Sequence, residues 1–353
     1  MISHAANAWL PRTLWWSACL AVVVAGAAPV RALRADGQPA AVSNAPSATS
    51  APNAPSATSA PNAPSAPDAL DALDAPDASN APSAPNSPSA PFEPSVTKRI
   101  AIVGASASDG FGVAVSNGSA TPFKAELVDL RDVLLAAAKP GTTELVAHYA
   151  TGMFFSDPIV RGEDEISRAL AVKPTLLIGA DFLFWYAYGG GGIGKSPIRS
   201  EDDRASLFEL GLAQLDRVVA AGIPLVVGNL PDMRAAKGRM LAAMQLPQDA
   251  TLTRLNERLA DWAKDKPLVR ILSLAHVLDE TRSSEPVRVG SVQWDPKKQG
   301  PLMQRDRLHP AFPGLVALTE RTMECAIGDA ACRERFDFAP KDVKTRILDQ
   351  PRK

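Results

Sequence analysis

Short apolar runs alternate with longer amphipathic stretches from about residue 99 to residue 324 of this 353-residue chain. Continuous apolar runs are typical of buried parallel strands, because both faces of such strands are covered. We predict strands at 99–103, 144–148, 175–178, 223–227 and 269–272. We predict helices at 124–138, 163–171, 201–221, 251–263 and 313–324.

This alternation of strands and helices predicts the α/β class, as a three-layer α/β/α domain around a doubly wound parallel five-stranded sheet. Ligands of such sheets bind beyond the carboxyl ends of the strands. Four polar or glycine positions each follow a predicted strand, namely Ser106, Gly152, Asp181 and Asn229. We therefore expect these residues to lie at one edge of the sheet.

The first 95 residues differ from the rest in composition. Residues 1–32 combine Arg12, an apolar run from Leu14 to Val24 and small residues after it, which is the pattern of a cleaved signal peptide. The run is shorter than the ~20 residues of a membrane span, so secretion or periplasmic export is favoured over a retained membrane anchor. Residues 33–95 repeat Ala, Pro, Ser and Asn, which predicts a disordered linker. That linker is either a stalk associated with the cell envelope or a neutral repeat expansion.

The remaining chain is predicted to form one domain over 96–337, followed by a flexible tail over 338–353. The formal net charge is −1 without a Lys/Arg cluster, which argues against nucleic-acid binding. Cys325 and Cys332 are close enough in sequence for a small disulfide loop, and two free thiols are the alternative. No cluster of His, Cys and Asp has ligand spacing, so we predict neither a metal nor another cofactor.

Two short segments contain the parts of a catalytic triad. Ser106 lies in a Gly/Ala/Ser turn after the first predicted strand, and Asp306 precedes His309 by three residues. A neutral Ser hydroxyl is a poor nucleophile, and it needs a base and an acid that orients the base. We predict Ser106 as nucleophile, His309 as base and Asp306 as its partner. His276, with Asp279 three residues later, is the main alternative pair, whereas His148 has no acid at short spacing.

These segments resemble the SGNH/GDSL hydrolase superfamily. Gly104-Ala105-Ser106-Ala107-Ser108-Asp109 is similar to its Gly-Asp-Ser-Leu block, although Ala105 replaces the first Asp and Ala107 the Leu. Asp306, His309 and Pro310 match its last block. The resemblance implies a flavodoxin-like SGNH fold and an esterase that cleaves an acyl or acetyl ester of a carbohydrate or lipid. It also implies that the aromatic, glycine-rich insertion at 182–199 overhangs the site and shapes recognition.

The middle blocks of the family imply an oxyanion hole formed by the amides of Ser106 and Gly152 and by a side chain at position 181. Family members have Asn there, whereas this chain has Asp181. An ionised carboxylate repels the developing charge, and loss of one donor costs about 2.7–4 kcal/mol. Three alternatives are open: a protonated Asp181 donates, Asn229 substitutes, or the protein is a weak or inactive module that binds an envelope glycan. If Asp181 lines the hole, Asp181→Asn should raise ester turnover at neutral pH.

The segment Gly189–Ser196 fits the pattern of a phosphate-binding loop, Gly-x-x-x-x-Gly-Lys-Ser. Such a loop follows a strand directly and opens a helix. Here the preceding strand ends near Ile178, and the next helix has its own cap at Ser200. We therefore interpret the segment as a flexible glycine loop and not as a nucleotide site.

Overall fold

The computed structural model describes residues 90–118, 120–189 and 200–350. The predicted signal peptide at 1–32 and all but the end of the predicted linker at 33–95 lie outside the described residues. The same is true of 190–199, which contains most of the phosphate-loop pattern and much of the predicted insertion.

Five parallel strands form one sheet in the order β4-β1-β5-β6-β7. They are β1 (Arg99–Ile102), β4 (Leu145–His148), β5 (Leu176–Gly179), β6 (Leu225–Gly228) and β7 (Val269–Leu272). Two antiparallel hairpins, which the sequence pattern did not predict, pair β2 (Ala114–Ser116) with β3 (Ala125–Leu127) and β8 (Val287–Val289) with β9 (Val292–Trp294). The strand order reverses beside β1, which is the switch point where doubly wound sheets bind ligands.

Helices cover both faces of this sheet. Their bounds are α1 (Leu130–Ala137), α2 (Pro158–Ala171), α3 (Phe184–Tyr188), α4 (Glu201–Ala220), α5 (Asp249–Lys264), α6 (Leu274–Arg282), α7 (Pro296–Gln299), α8 (Phe312–Ile327), α9 (Asp329–Arg335) and α10 (Pro340–Asp349). Successive residues of β1 contribute to the hydrophobic cores on opposite faces of the sheet. Ile100 and Ile102 pack on the face covered by α1 and α8, and Ala101 packs on the face covered by α2 and α4. The predicted three-layer α/β/α class with a doubly wound sheet is confirmed.

The helix predicted at 124–138 begins only at Leu130. Asp129 caps it, because its side chain accepts from the Asp132 amide and the Asp132 side chain accepts from the Asp129 amide. Such a reciprocal capping box fixes a helix start, and the residues before it are free to pair as β3. The helix predicted after Ser200 is confirmed, with Ser200 as its cap.

The flexible tail predicted at 338–353 is wrong over most of its length, because α10 occupies Pro340–Asp349. Val343 and Ile347 lie one turn apart on this helix and are buried in the core beside α1. At the other end, packing begins before residue 96. The Phe92 amide donates to the Ala326 carbonyl, and the Arg270 guanidinium lies 4.1 Å from the Phe92 ring centroid.

Cys325 in α8 and Cys332 in α9 are free thiols, so the disulfide alternative is wrong. Burial raises the pKa of Cys325 to about 11 and raises that of Cys332 still further. Both cysteines therefore act as apolar groups of the core.

None of the helices in the described part of the chain has the length and apolar character that a membrane crossing requires.

Candidate active site

The structure brings Ser106, His309 and Asp306 together. Ser106 Oγ lies 2.9 Å from His309 Nε2, although the two residues are 203 positions apart in sequence. Asp306 Oδ2 lies 2.7 Å from His309 Nδ1. With its proton on Nδ1, the imidazole donates to Asp306 and accepts from the Ser106 hydroxyl, which is the arrangement that a general base needs.

The His309 loop, residues 300–311, connects α7 to α8 and is held together by backbone hydrogen bonds. Met303 and Pro310 form an antiparallel bridge, and the Gln304 amide donates to the His309 carbonyl. Asp306 Oδ1 accepts from the amides of both Leu308 and His309. These two hydrogen bonds orient the carboxylate, so that its other oxygen is available only to the imidazole.

Asp306 is held in its charged form. Burial raises the pKa of this carboxyl, but hydrogen bonds from the His309 ring and from the amides of His309 and Leu308 outweigh burial and leave the pKa below its ordinary value. A carboxylate that stays charged near neutral pH stabilises the imidazolium that forms when His309 accepts a proton.

Two carboxyl side chains hold the loop that follows β1, at residues 103–113, which we call the nucleophile loop. Glu165 of α2 accepts from the Gly104 amide at 2.7 Å. Asp181 accepts from the amides of Ala105, Ala107 and Ser108 and from the Ser108 hydroxyl. Among the described residues, the Ser106 amide has no acceptor. The loop therefore leaves unpaired the Ser106 amide, which is one of the two amides predicted for the oxyanion hole.

The expected donor role of Asp181 is wrong. Each of its two carboxylate oxygens accepts two hydrogen bonds, three in total from backbone amides and one from the Ser108 hydroxyl, so the side chain acts as an acceptor here. Asp181 is buried and adjoins the same cavity as Ser106, yet it acts as an acceptor that shapes the nucleophile loop. This finding reverses the sign of the effect that the sequence suggested for Asp181→Asn.

Asp181→Asn is now expected to lower turnover at least about tenfold and to destabilise the fold. An amide group turns one acceptor oxygen into a donor that faces backbone N–H groups, and each buried donor left unpaired costs about 1–3 kcal/mol. Ester kinetics and urea denaturation measure the two effects. Asp157→Asn is the matched control, because Asp157 caps α2 and Asn caps a helix equally well. Faster turnover in Asp181→Asn would restore the oxyanion role.

The Gly152 amide also differs from expectation. It donates to Asp109 Oδ2 at 2.9 Å, so an acceptor already occupies the proposed second donor of the oxyanion hole. Asp109 lies in the nucleophile loop, three residues after Ser106. The contact therefore ties the segment after β4 to the segment after β1, and it leaves Ser106 as the free donor among the amides assigned by sequence.

The alternative residues named from the sequence, Asn229, His276 and His148, each interact with a group other than the Ser106 hydroxyl. Asn229 Oδ1 accepts from the Ala275 amide and thereby fixes the start of α6. His276 is exposed on α6, where its Nε2 lies 3.6 Å from Glu280. His148 Nε2 lies 3.2 Å from the Ser108 carbonyl oxygen, so this ring supports the nucleophile loop from β4. None of the three contacts the Ser106 hydroxyl.

Three further residues that sequence reasoning missed support the site. Gln304 Nε2 donates to the carbonyls of Phe111 and Pro310, which joins the nucleophile loop to the His309 loop. The Phe111 ring lies 4.6 Å from the His309 ring between centroids and packs against it. Glu165 could have been noticed, because it lies on the same helical face as the apolar residues Ile166 and Ala169.

A small apolar cavity opens beside the triad. Its volume is about 50 Å³, and Ser106 and His309 form part of its wall. The rest of the wall is mainly aliphatic, with Met233 from the loop after β6, Leu274 and Val277 from α6, and Leu318 from α8. Ser106 is 9% exposed and His309 is 2% exposed, so the reacting atoms face this cavity more than bulk water.

No family model matches the sequence, and none of the curated proteins is significantly similar to it. Similar solved structures include a gut microbial diltiazem-metabolizing enzyme, with 12% identity and a TM-score of 0.42. The match covers 67% of this chain, which spans about half (48%) of that protein. A psychrotrophic esterase, EstA from Pseudoalteromonas sp., has 11% identity and a TM-score of 0.36, with 64% of this chain and 94% of that one covered.

A GDSL-like lipase from Parabacteroides merdae is also similar, with 11% identity, a TM-score of 0.41 and coverage of 65% of this chain and 95% of that one. The solved structures to which this chain is similar thus include an esterase and a GDSL-like lipase.

Proposed function

We propose that this protein is a serine hydrolase of the SGNH type that cleaves a carboxylic ester through Ser106, His309 and Asp306. The observation that carries the proposal is the 2.9 Å contact between Ser106 Oγ and His309 Nε2, completed by Asp306 on the other ring nitrogen. An acyl or acetyl ester of a carbohydrate or lipid is the substrate class, as the family resemblance implies.

The reaction would proceed in two halves. His309 takes the proton of Ser106 as the hydroxyl oxygen attacks the ester carbonyl, and Asp306 stabilises the resulting imidazolium. The Ser106 amide donates to the oxyanion, and His309 returns its proton to the leaving alcohol. Water, activated by the same imidazole, then hydrolyses the acyl-enzyme and restores Ser106.

Labelling with a fluorophosphonate probe tests this function. We expect the wild type to be labelled, the adduct to map to Ser106 by mass spectrometry, and Ser106→Ala to remain folded but unlabelled. Mapping is necessary because Ser108 lies two residues away and donates to Asp181. Ser167→Ala, at an exposed Ser of α2, is the control that keeps the label. Absence of label from the folded wild type would refute the proposal.

A second function has specific support. The Gly152 amide donates to Asp109, and Asp181 accepts instead of donating, so fewer oxyanion donors are available than the family resemblance implies. Since one donor is worth about 10²–10³ in rate, a weak enzyme or a module that binds an envelope glycan is the alternative. A folded protein that binds a glycan but takes no probe would favour this alternative.

We also propose that the chain is exported, with its linker between the cleavage site and the domain available to contact the cell envelope. The support is the charge and apolar pattern of residues 1–32 and the repeats of residues 33–95. Sequencing the N-terminus of the mature protein tests this, because a retained Met1 would refute cleavage.

A further inference from the structure

We propose that the cavity beside Ser106 binds the acyl chain of the substrate and restricts it to short acyl groups of about two to four carbons. This inference rests on the proposed ester hydrolysis and adds the chemical class of the acyl group. It follows from the position, the lining and the volume of the cavity.

The cavity belongs to the reaction site because it adjoins the catalytic residues. Ser106 and His309 both line it, so a carbonyl carbon placed at the Ser106 hydroxyl leaves its substituents at the cavity mouth. Leu274, Val277 and Leu278, on the buried face of α6, line the same cavity. A chain attached to Ser106 therefore enters a cavity whose wall is formed in part by α6.

The lining selects an apolar group. The polar side chains in the wall already have hydrogen-bond partners. Asp181 accepts from backbone amides, and Thr281 donates to the Leu278 carbonyl. His309 is hydrogen-bonded to Ser106 and Asp306. A hydroxylated or charged chain would find no free partner there, and burying an unpaired polar group is unfavourable. Aliphatic chains lose nothing by entering and gain the burial of their methylene groups.

The volume limits the length of the chain. At about 50 Å³ the cavity accepts about three to five water-sized groups, since each requires about 10–15 Å³. A butyryl group, which has three carbons beyond its carbonyl, takes up most of that space. The acyl half fits this compartment better than the alcohol half, because the acyl group stays on Ser106 through the second step while the alcohol must leave. A cavity filled by the acyl group holds the part of the substrate that remains, and it does not obstruct the alcohol that departs.

Two series of esters test the proposal on the full-length protein. In the acyl series, p-nitrophenyl acetate, butyrate, hexanoate and octanoate, we expect kcat/KM to fall at least about tenfold beyond butyrate, because one methylene in a tight pocket is worth about 10–200-fold. In the alcohol series, methyl to octyl acetate, we expect changes below about threefold. A flat acyl series, or a cut-off in the alcohol series, would overturn the assignment.

Variants at Val277 locate the effect. Val277→Ala enlarges the cavity and should shift the optimum to longer chains, whereas Val277→Leu should shift it towards acetate. Val343→Ala is the control, because Val343 is also a buried core residue but lies in α10, outside the cavity. If both Val277 variants fold and keep the wild-type profile, the proposal is wrong. If the wild type cleaves no ester and takes no fluorophosphonate, both this proposal and the proposed function fail.

Discussion

Asp306→Asn should lower kcat for ester hydrolysis by about 10⁴ while leaving the fold intact. The reason is the orientation that the backbone imposes on this side chain. Oδ1 accepts from the amides of Leu308 and His309, so an Asn must keep its oxygen on that side. Its NH₂ group then faces His309 Nδ1 and donates to it. The imidazole is forced to carry its proton on Nε2, where it can no longer accept from Ser106.

Steady-state kinetics and thermal unfolding together measure this effect. The matched control is Asp279→Asn, since Asp279 also lies three residues from a His, but on the exposed face of α6. Activity of the control should stay within about twofold of wild type. A folded Asp306→Asn that retained activity within about tenfold of wild type would show that Asp306 does not orient the base.

Five strands of the central sheet could be read from the sequence because burial on both faces leaves a continuous apolar run. β5 and β6 are buried along their whole length, and both were predicted within two residues of their bounds. The hairpins lack such a signal: β2 and β3 are three residues long and partly exposed, so neither an apolar run nor a clear alternation marks them. In α10, the apolar pair Val343 and Ile347 was too short a pattern to outweigh its polar neighbours.

The candidate triad was predictable because its chemistry requires three residue types at recognisable places, and Asp306 and His309 are close in sequence. The carboxyl groups beneath the nucleophile loop were not predictable in the same way. Asp181 contacts amides 73 to 76 positions away, and Glu165 contacts an amide 61 positions away. A motif comparison assigned Asp181 the role of the Asn it replaces, whereas in the fold both of its carboxyl oxygens accept hydrogen bonds.

Glu165→Gln should make the protein more stable than wild type at pH 8, by an amount that grows with pH. Glu165 is 1% exposed, and within the described ranges only one of its oxygens has a partner, the Gly104 amide. Burial, followed by the neighbouring charges of Asp181 and Asp109, raises its pKa from 4.5 to about 9, although the Gly104 hydrogen bond opposes this. Gln reproduces the protonated form, because its carbonyl accepts from the same amide and it carries no charge.

The direction of this stability change follows from which state of the protein, folded or unfolded, keeps the proton of Glu165. Between pH 4.5 and pH 9 the folded protein keeps the proton of Glu165, while the unfolded chain releases it. Its contribution to the free energy of unfolding is complete below pH 4.5 and decreases by about 1.4 kcal/mol per pH unit as pH rises towards 9. Gln has no such dependence. The difference between the variant and wild type should therefore grow by about 4 kcal/mol from pH 5 to pH 8.

Urea denaturation of both proteins from pH 5 to pH 8 measures that difference directly, and subtraction removes the contributions of the groups they share. Glu163→Gln is the control, because it makes the same substitution at an exposed position of the same helix. A flat difference for Glu165→Gln would mean that Glu165 is charged in the folded protein.

If the proton is present, its loss near pH 9 places a second negative charge beside Asp181, under the loop that holds Ser106. The wild type should then lose activity above that pH, and Glu165→Gln should retain it.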